Sequence, residues 1–447
     1  MVAETFVLKS GFDPHTFLAD MKAARDAVGE PGEADARHLQ KLVGLAQGLA
    51  VAGQVLLFVG VAQPFGLLTG LCCATGAFFI STARCMRWTI IGHHISHGGY
   101  DKVQRSHPEA LPKQYKRGIF ATGYRRFIDW LDWMLPGAWD VEHNKMHHYY
   151  LSEDKDPDLV ERNFALLHTM PLPSVLKYAS MVFWMFTWKA TYYSPNTFKE
   201  LELSRPRSFA AQRWPKSRPR TEPLTVFDFA RLPVQFLLTG EKVADALFWP
   251  VLFVQWLLVV VPMMALVALP AAFPVALGVT SCWPFALPWQ TAAMKALLAG
   301  VIADMMSNLH SFIIVACNHS GSDLYRYFTS CKAYSAEWFL RCAYSSANFE
   351  TGSDFVDIAY GWLNYQIEHH MFPDMTPLQY RKLQPLVKSV CKKHGVQYIQ
   401  QNGLYRTWRM LRCAVGDDQM IKCDAILPPA SAKDKSPLKG NDKLLGS

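Results

Sequence analysis

Charged positions are distributed along this chain in blocks. From Leu42 to Ala83 there is no Asp, Glu, Lys or Arg over 42 residues, and from Ala246 to Met294 there is none over 49. A helix needs about 20 apolar residues to cross a bilayer, so each run can hold two crossings and a turn. The first run breaks at Gln63-Pro64-Phe65-Gly66. The second breaks at a stretch carrying Pro270, Pro274, Pro284 and Pro288, and its second helix continues to about Ala316. The pattern predicts two helical hairpins, with spans over residues 42–61, 66–84, 246–269 and 290–316. The turns inside both hairpins lack Lys and Arg. The positive-inside rule therefore places segments 1–41, 84–245 and 317–447 together on the cytoplasmic side.

Shorter patterns fill in the rest. Residues 178–188 (YASMVFWMFTW) are strongly apolar but too few to span, which predicts an interfacial or re-entrant helix. Residues 14–29 place Phe17, Met21, Ala24 and Val28 at helical spacing, as an amphipathic helix lying on the membrane would. Residues 204–223 are basic and Pro-rich and read as an extended loop near headgroups, and the last 17 residues read as disordered. The expected organisation is an N-terminal cytosolic or interfacial region (1–41), a central domain (42–405) and a C-terminal tail (406–447). The fold class is all-α integral membrane, with four transmembrane helices under a helical cytosolic cap.

Composition agrees with this division. Charged residues make up 18% of the chain, below the soluble average of roughly 25%, because the two hairpins contain almost none. The net charge of +8 fits basic residues on the cytoplasmic face and calls for no nucleic-acid partner. The ten Cys form no CxxC pair, which suits a reduced, cytosol-facing protein.

The chemistry lies in the histidines. Three tight groups fall in the predicted cytoplasmic segments: His93-His94-Ile95-Ser96-His97, then His143-Asn144-Lys145-Met146-His147-His148, then Gln366-Ile367-Glu368-His369-His370. On a helix, residues three to five apart project from nearby faces, so each group can aim two or three imidazoles at one point. Neutral imidazole suits iron, copper, zinc or nickel. A single zinc takes about four ligands, and these histidines exceed that twofold, so two metals with nitrogen donors and open positions fit better. No Glu has a His three residues later, which separates this pattern from the carboxylate-rich di-iron bundles. Asp101, Asp140, Glu142, Asp154 and Glu368 stand near enough in sequence to orient the rings. A b-type haem would need facing His within the spans, where only His310 lies, and it reads as a polar helix–helix contact. Asp304 and Asn308 in the same span should face the protein interior. His319, at the exit of that span beside Asn318, is a further ligand candidate. His15, His38, His107, His168 and His394 read as ordinary surface residues.

These boxes resemble those of the membrane fatty acid desaturase superfamily. The segment from Trp362 to Pro373 (WLNYQIEHHMFP) is especially similar to front-end acyl and sphingolipid desaturases, in which Gln replaces the first His of the third box. The likeness extends over about residues 40–405 and includes Asn318-His319 with Ser322-Asp323-Leu324-Tyr325. It implies two non-haem irons held by His93, His97, His143, His147, His148, His319, His369 and His370, with Gln366 a weaker or water-mediated ligand. It also implies an O2-dependent desaturation of a fatty acyl chain carried by a membrane lipid or by CoA. Electrons would come from cytochrome b5 or ferredoxin, and the endoplasmic reticulum would house the enzyme, with plastid or bacterial inner membrane as the other settings. The same scaffold also supports hydroxylases and ketolases. A reading of another class is a non-catalytic membrane protein binding haem or zinc.

Three features depart from the group. No His-Pro-Gly-Gly motif of a fused cytochrome b5 is present, so a separate electron donor is expected. His94 stands where the group commonly has Asp, losing a carboxylate or gaining a ligand. The second box is HxxxHH, one residue longer than the usual HxxHH.

Overall fold

The computed structural model describes residues 11–214, 220–224, 248, 250–258, 260 and 289–427. Helix α1 (Pro14–Val28) begins at Asp13, whose carboxylate accepts the His15 and Thr16 amide protons. Its apolar face, with Phe17 and Met21 fully buried, does not lie on a membrane as its periodicity suggested. It packs instead on α7 (Ala336–Tyr344) and α9 (Pro377–His394) of the cap. An amphipathic pattern specifies an apolar neighbour but not which one.

Helix α2 (Glu33–Ala62) spans 30 residues, about 45 Å at 1.5 Å per residue. It starts before the charge-free run, so it rises out of the cap before it becomes wholly apolar. Residues 63–66 turn the chain into α3 (Leu67–Cys85). The two helices cross at Gly53 and Gly76, where a methyl on Gly53 would stand 2.9 Å from the Gly76 carbonyl oxygen. Close crossing through small residues is the usual packing of membrane helices. The helical path continues past α3 through a π-helical stretch, Met86–Gly92, to Ser96.

Helix α6 (Trp289–Val315) lays Ala292, Ala296, Ala299 and Ala303 against Leu57, Val61, Ala77 and Ile80 of the first hairpin. Among the described residues, three helical stretches are long and apolar enough to cross a membrane: Glu33–Ala62, Leu67–Ser96 and Gln290–His319. They correspond to the expected spans 42–61, 66–84 and 290–316. The expected span 246–269 is helical at 248, 250–258 and 260, and its remainder lies outside the described residues, as do the last 17 residues.

The apolar segment 178–188 belongs to α4 (Ser174–Trp188), at 15 residues too short to span. It packs on α6 and passes through a π-turn (Lys189–Tyr193) into α5 (Ser194–Ser204). At this junction Lys189 and Asp132, both fully buried, pair at 2.9 Å, and Lys189 Nζ also donates to Ser307 Oγ at 3.0 Å. Asp304 binds Arg84 at 2.8 Å and accepts from the Trp133 indole, while Asn308 Oδ1 accepts the Lys189 amide. Asp304 and Asn308 thus face inward, as expected, and tie α3, α4 and α6 together. His310 Nε2 donates to the Ala359 carbonyl, 2.6 Å away.

The cap adds α8 (Gln366–Met371) and α10 (Gly403–Val415). Among the described residues the all-α expectation has an exception, a parallel pair of three-residue strands, β1 (Tyr325–Tyr327) and β2 (Ile421–Cys423). One continuous buried cluster runs from Phe17 to Ile426, so the segments before and after the central domain share its core.

Candidate metal centre

Helices α3 and α6, the second and fourth of the expected spans, deliver histidines directly at their ends. His93 and His97 lie one helical turn apart on the continuation of α3, with the His97 amide bonded to the His93 carbonyl at 3.2 Å. The π-helical stretch before them ends at Gly92, where a Cβ would approach the Trp130 ring to 2.6 Å, so the ring sits on bare backbone. His319 closes a tight turn (Ala316–His319) that prolongs α6.

The second box occupies a π-helix, Asp140–His147. Its i→i+5 bonding, including His148 N–H to His143 C=O at 3.2 Å, winds the backbone less tightly and brings His148 back over His143. The extra residue of HxxxHH is absorbed in this way without displacing the pair of adjacent histidines. The third box follows two consecutive left-handed residues, Gly361 (φ 65°) and Trp362 (φ 55°). The strained Trp362 is pinned by its amide bond to the Asp357 carbonyl (2.7 Å) and by Arg381 over its ring (4.7 Å).

Two groups of ring nitrogens result. His93, His97, His143, His148 and His369 form one and His147, His319 and His370 the other, all buried, with the donor atoms of each within 4.8 Å of one another. Adjacent residues on a helix point in different directions. The pairs His147-His148 and His369-His370 therefore straddle both groups, and the stacked rings of His148 and His370, 4.4 Å apart, form the seam. Gln366, one turn before His370, joins the second group at 2.9 Å from His319 Nε2 and 3.1 Å from His370 Nε2.

Hydrogen bonding among the rings cannot account for this convergence. Within the first group, His93 Nε2 lies 2.9 Å from His369 Nε2 and 3.0 Å from His143 Nε2, which is itself 3.2 Å from His148 Nε2. A neutral imidazole has one N–H and one lone pair. His97 Nε2 is buried with no partner, as is Gln366 Oε1 in the second group. A cation within each group satisfies the converging lone pairs. Imidazole–metal bonds of about 2.0–2.1 Å at right angles put neighbouring nitrogens about 3 Å apart, as here. The residues therefore fit metal ions, and the nitrogen-rich donor set admits iron, copper, zinc or nickel.

Electrostatics agree. Burial, reinforced by neighbouring imidazoles, holds His97, His143, His148, His369 and His370 well below the ordinary histidine pKa, keeping them neutral and able to donate a lone pair. His147 differs. Burial opposes its protonation, but the charge and hydrogen bond of Asp156, aided by Asp158, outweigh it and raise its pKa. Asp156 Oδ1 is 2.8 Å from His147 Nδ1, which leaves Nε2 to face the second group. Tyr380 Oη, 3.1 Å from His369 Nδ1, and the Ser345 carbonyl, 3.3 Å from His319 Nδ1, hold two further rings.

The other residues singled out from sequence lie around the groups in varied ways. His94 binds the Ile90 carbonyl through Nδ1 (2.7 Å) and belongs to neither group. Asp101 accepts the Arg117 amide (3.0 Å), and Asp154 pairs with Arg326 on the surface (2.8 Å). Glu142 is fully buried against Tyr193 Oη (3.2 Å), its pKa raised by burial and then by Asp158. Glu368 accepts from Asn348 (2.8 Å) and Tyr398 (2.7 Å), with burial raising its pKa to about 7. Asn318 donates to the Ile314 and Leu363 carbonyls. Asp156, Asp158 and Tyr380 were not singled out. Asp156 had the same signal as Asp154, a carboxylate shortly after the second box, whereas Tyr380 carried none.

A cavity adjoins both groups. Its walls are aromatic and aliphatic, among them Trp88, Trp139, Trp184, Trp188 and Phe312, and its polar end is formed by His93, His143, His147, His319, Gln366 and Asp158.

Comparison with known proteins fits this site. The family profile described as Fatty acid desaturase matches residues 115–402. The chain is 23% identical over 443 residues to the NADPH-dependent stearoyl-CoA 9-desaturase of Mycobacterium tuberculosis, covering 97% of this chain and 87% of that one. Shorter matches include Fatty acid desaturase 3 of Bos taurus, 54% identical over 44 residues (10% of each chain). The sn-1 linoleoyl-lipid 6-desaturase of Synechocystis is 36% identical over 66 residues, 15% of this chain and 18% of that one. No solved structure matches the chain.

Proposed function

Because the chain belongs to the fatty acid desaturase family, we propose that it introduces a carbon–carbon double bond into a fatty acyl chain at two irons held by the two histidine groups. The observation that carries this reading is the junction of an apolar, aromatic-walled cavity with both groups of converging nitrogens. His93, His97, His143, His148 and His369 would hold one iron, and His147, His319 and His370 the other. Gln366 completes the second set: turning its amide by 180° exchanges Nε2 for the unpartnered Oε1, which then faces His319 and His370 as an oxygen donor. When bound, such a pair of irons supplies O2 activation, with two electrons from a separate carrier such as cytochrome b5 or ferredoxin.

The chain's own residues do the rest. Trp139, Trp188 and Phe312 exclude water and hold methylene groups beside the nitrogen end of the cavity. Asp156 fixes the His147 tautomer, and Tyr380 that of His369. The candidate spans anchor this cap to a membrane with the boxes on the cytosolic side, within reach of a diffusing electron carrier.

The test is expression of the full chain in a host that lacks the product, with mass spectrometry of total fatty acids. Loss of two hydrogens from a saturated chain is expected. Gain of one oxygen instead would assign a hydroxylase, and an unchanged profile would refute the reading.

A further inference from the structure

The cavity is closed at one end and open at the other. Trp88, Trp188, Tyr193 and Phe312 are buried, whereas Phe164, Trp184, Tyr192 and Val315, together with the polar Asp158 and Asn163, are half-buried and mark the opening. Trp184 lies on α4, and Val315 is the last residue of α6, itself part of a candidate span. The opening therefore sits between a short apolar helix and the end of a membrane-crossing one.

The surface beside the opening is apolar. On α4, Val175 is 71% exposed and Phe183 52%, with Leu176 and Val182 alongside, and the turn before α4 exposes Leu166, Met170 and Leu172. Between Phe164 and Trp188 the only residue among Asp, Glu, Lys and Arg is Lys177, whose ammonium donates to the His168 carbonyl at 2.9 Å. Such a contiguous apolar patch is unfavourable in water and suits hydrocarbon. The patch joins a helix that crosses the bilayer, so the mouth faces lipid.

The lining of the cavity also speaks against an anionic carrier. It contains no Lys or Arg among the described residues, and its one charged side chain is Asp158, at the half-buried polar end. A nucleotide thioester brings several phosphate charges that need cationic partners at the mouth. A glycerolipid needs none there, because its headgroup remains at the membrane surface while one acyl chain bends into the protein.

From this we infer that the acyl chain enters sideways from the bilayer while still attached to a membrane glycerolipid. The inference rests on the desaturase reading and specifies its substrate carrier. The relatives compared above act, by their names, on a CoA thioester in one case and a lipid in another, so similarity leaves the carrier open.

The experiment uses the purified full chain in vesicles made from total polar lipids of cells grown on deuterated stearate. A membrane fraction from a host supplies reduced electron carrier, and ATP and CoA are omitted so that acyl groups stay on their lipids. A parallel incubation in unlabelled vesicles receives 13C-stearoyl-CoA. The expected result is deuterated unsaturated chains in intact glycerolipid, formed at least tenfold faster than unsaturated 13C-acyl-CoA. Conversion of the thioester alone, or of both at similar rates, overturns the inference and leaves the desaturase reading standing. Conversion of neither overturns both.

Discussion

Asp156 holds His147 by the ring nitrogen that faces away from its neighbouring histidines, with Oδ1 2.8 Å from Nδ1 and both side chains buried. The carboxylate is itself fixed by the Ser152 and Asp158 amides, at 2.7 and 2.9 Å. Its pKa is lowered because His147 and these bonds overcome the effect of burial, so it stays ionised. Replacing Asp156 with Asn keeps the shape but removes the charge that fixes the tautomer. Outer partners of metal-bound histidines typically contribute about 10–100-fold in affinity or activity. Asp156→Asn should lose metal and activity on that scale, read by metal analysis and product formation, while Asp154→Asn changes neither.

Arg406 is fully buried and binds the Ser320 carbonyl (2.9 Å) and Asp323 (2.9 Å), immediately after His319. Arg406→Gln should release that backbone and reduce the metal content from two ions per chain towards one, since only the second group contains His319. Equal loss from both groups would show a general folding defect instead.

Lys189 and Asp132 form an ion pair deep in the molecule. Removing one partner leaves the other charge buried and costs about 3–5 kcal/mol, whereas replacing both with apolar residues of similar volume is often neutral. Lys189→Met should markedly lower the thermal inactivation temperature, and Lys189→Met with Asp132→Leu should restore most of it. No recovery in the double variant would mean that the ionic pair itself is required.

The depressed histidines make stability depend on pH. Unfolded, His97, His143, His148, His369 and His370 titrate near the ordinary value of 6.5, whereas in the folded chain burial and mutual repulsion hold them well below it. Below about 6.5 the unfolded chain therefore binds more protons than the folded one, and stability falls as pH falls. Protein stripped of metal by a chelator should unfold at lower temperature at about pH 5.5 than at about pH 7.5. A melting temperature independent of pH across that interval would contradict the placement of these rings.

Much of this was legible in the sequence because it depends on local periodicity. Charge-free runs mark spans without knowledge of neighbours, and Gln366, His369 and His370 share a helix whose spacing already aims them. What eluded the sequence depends on tertiary direction. Asp154 and Asp156 are equally close to the second box, but the turn after His148, through Ser152 (φ 58°), sends one to the surface and the other to His147. Tyr380 reaches His369 only because α9 folds back over α8. The face of α1 is apolar in either setting, so periodicity alone could not choose the cap over the membrane. HxxxHH is one residue longer than the usual HxxHH, and a π-helical backbone, which the sequence does not announce, takes up that residue.

The most direct test of the central claim is the metal content of the purified full chain, measured by inductively coupled plasma mass spectrometry against protein concentration. Two histidine groups serving as a dinuclear centre predict two irons per chain. A single ion per chain, or zinc in place of iron, would contradict it.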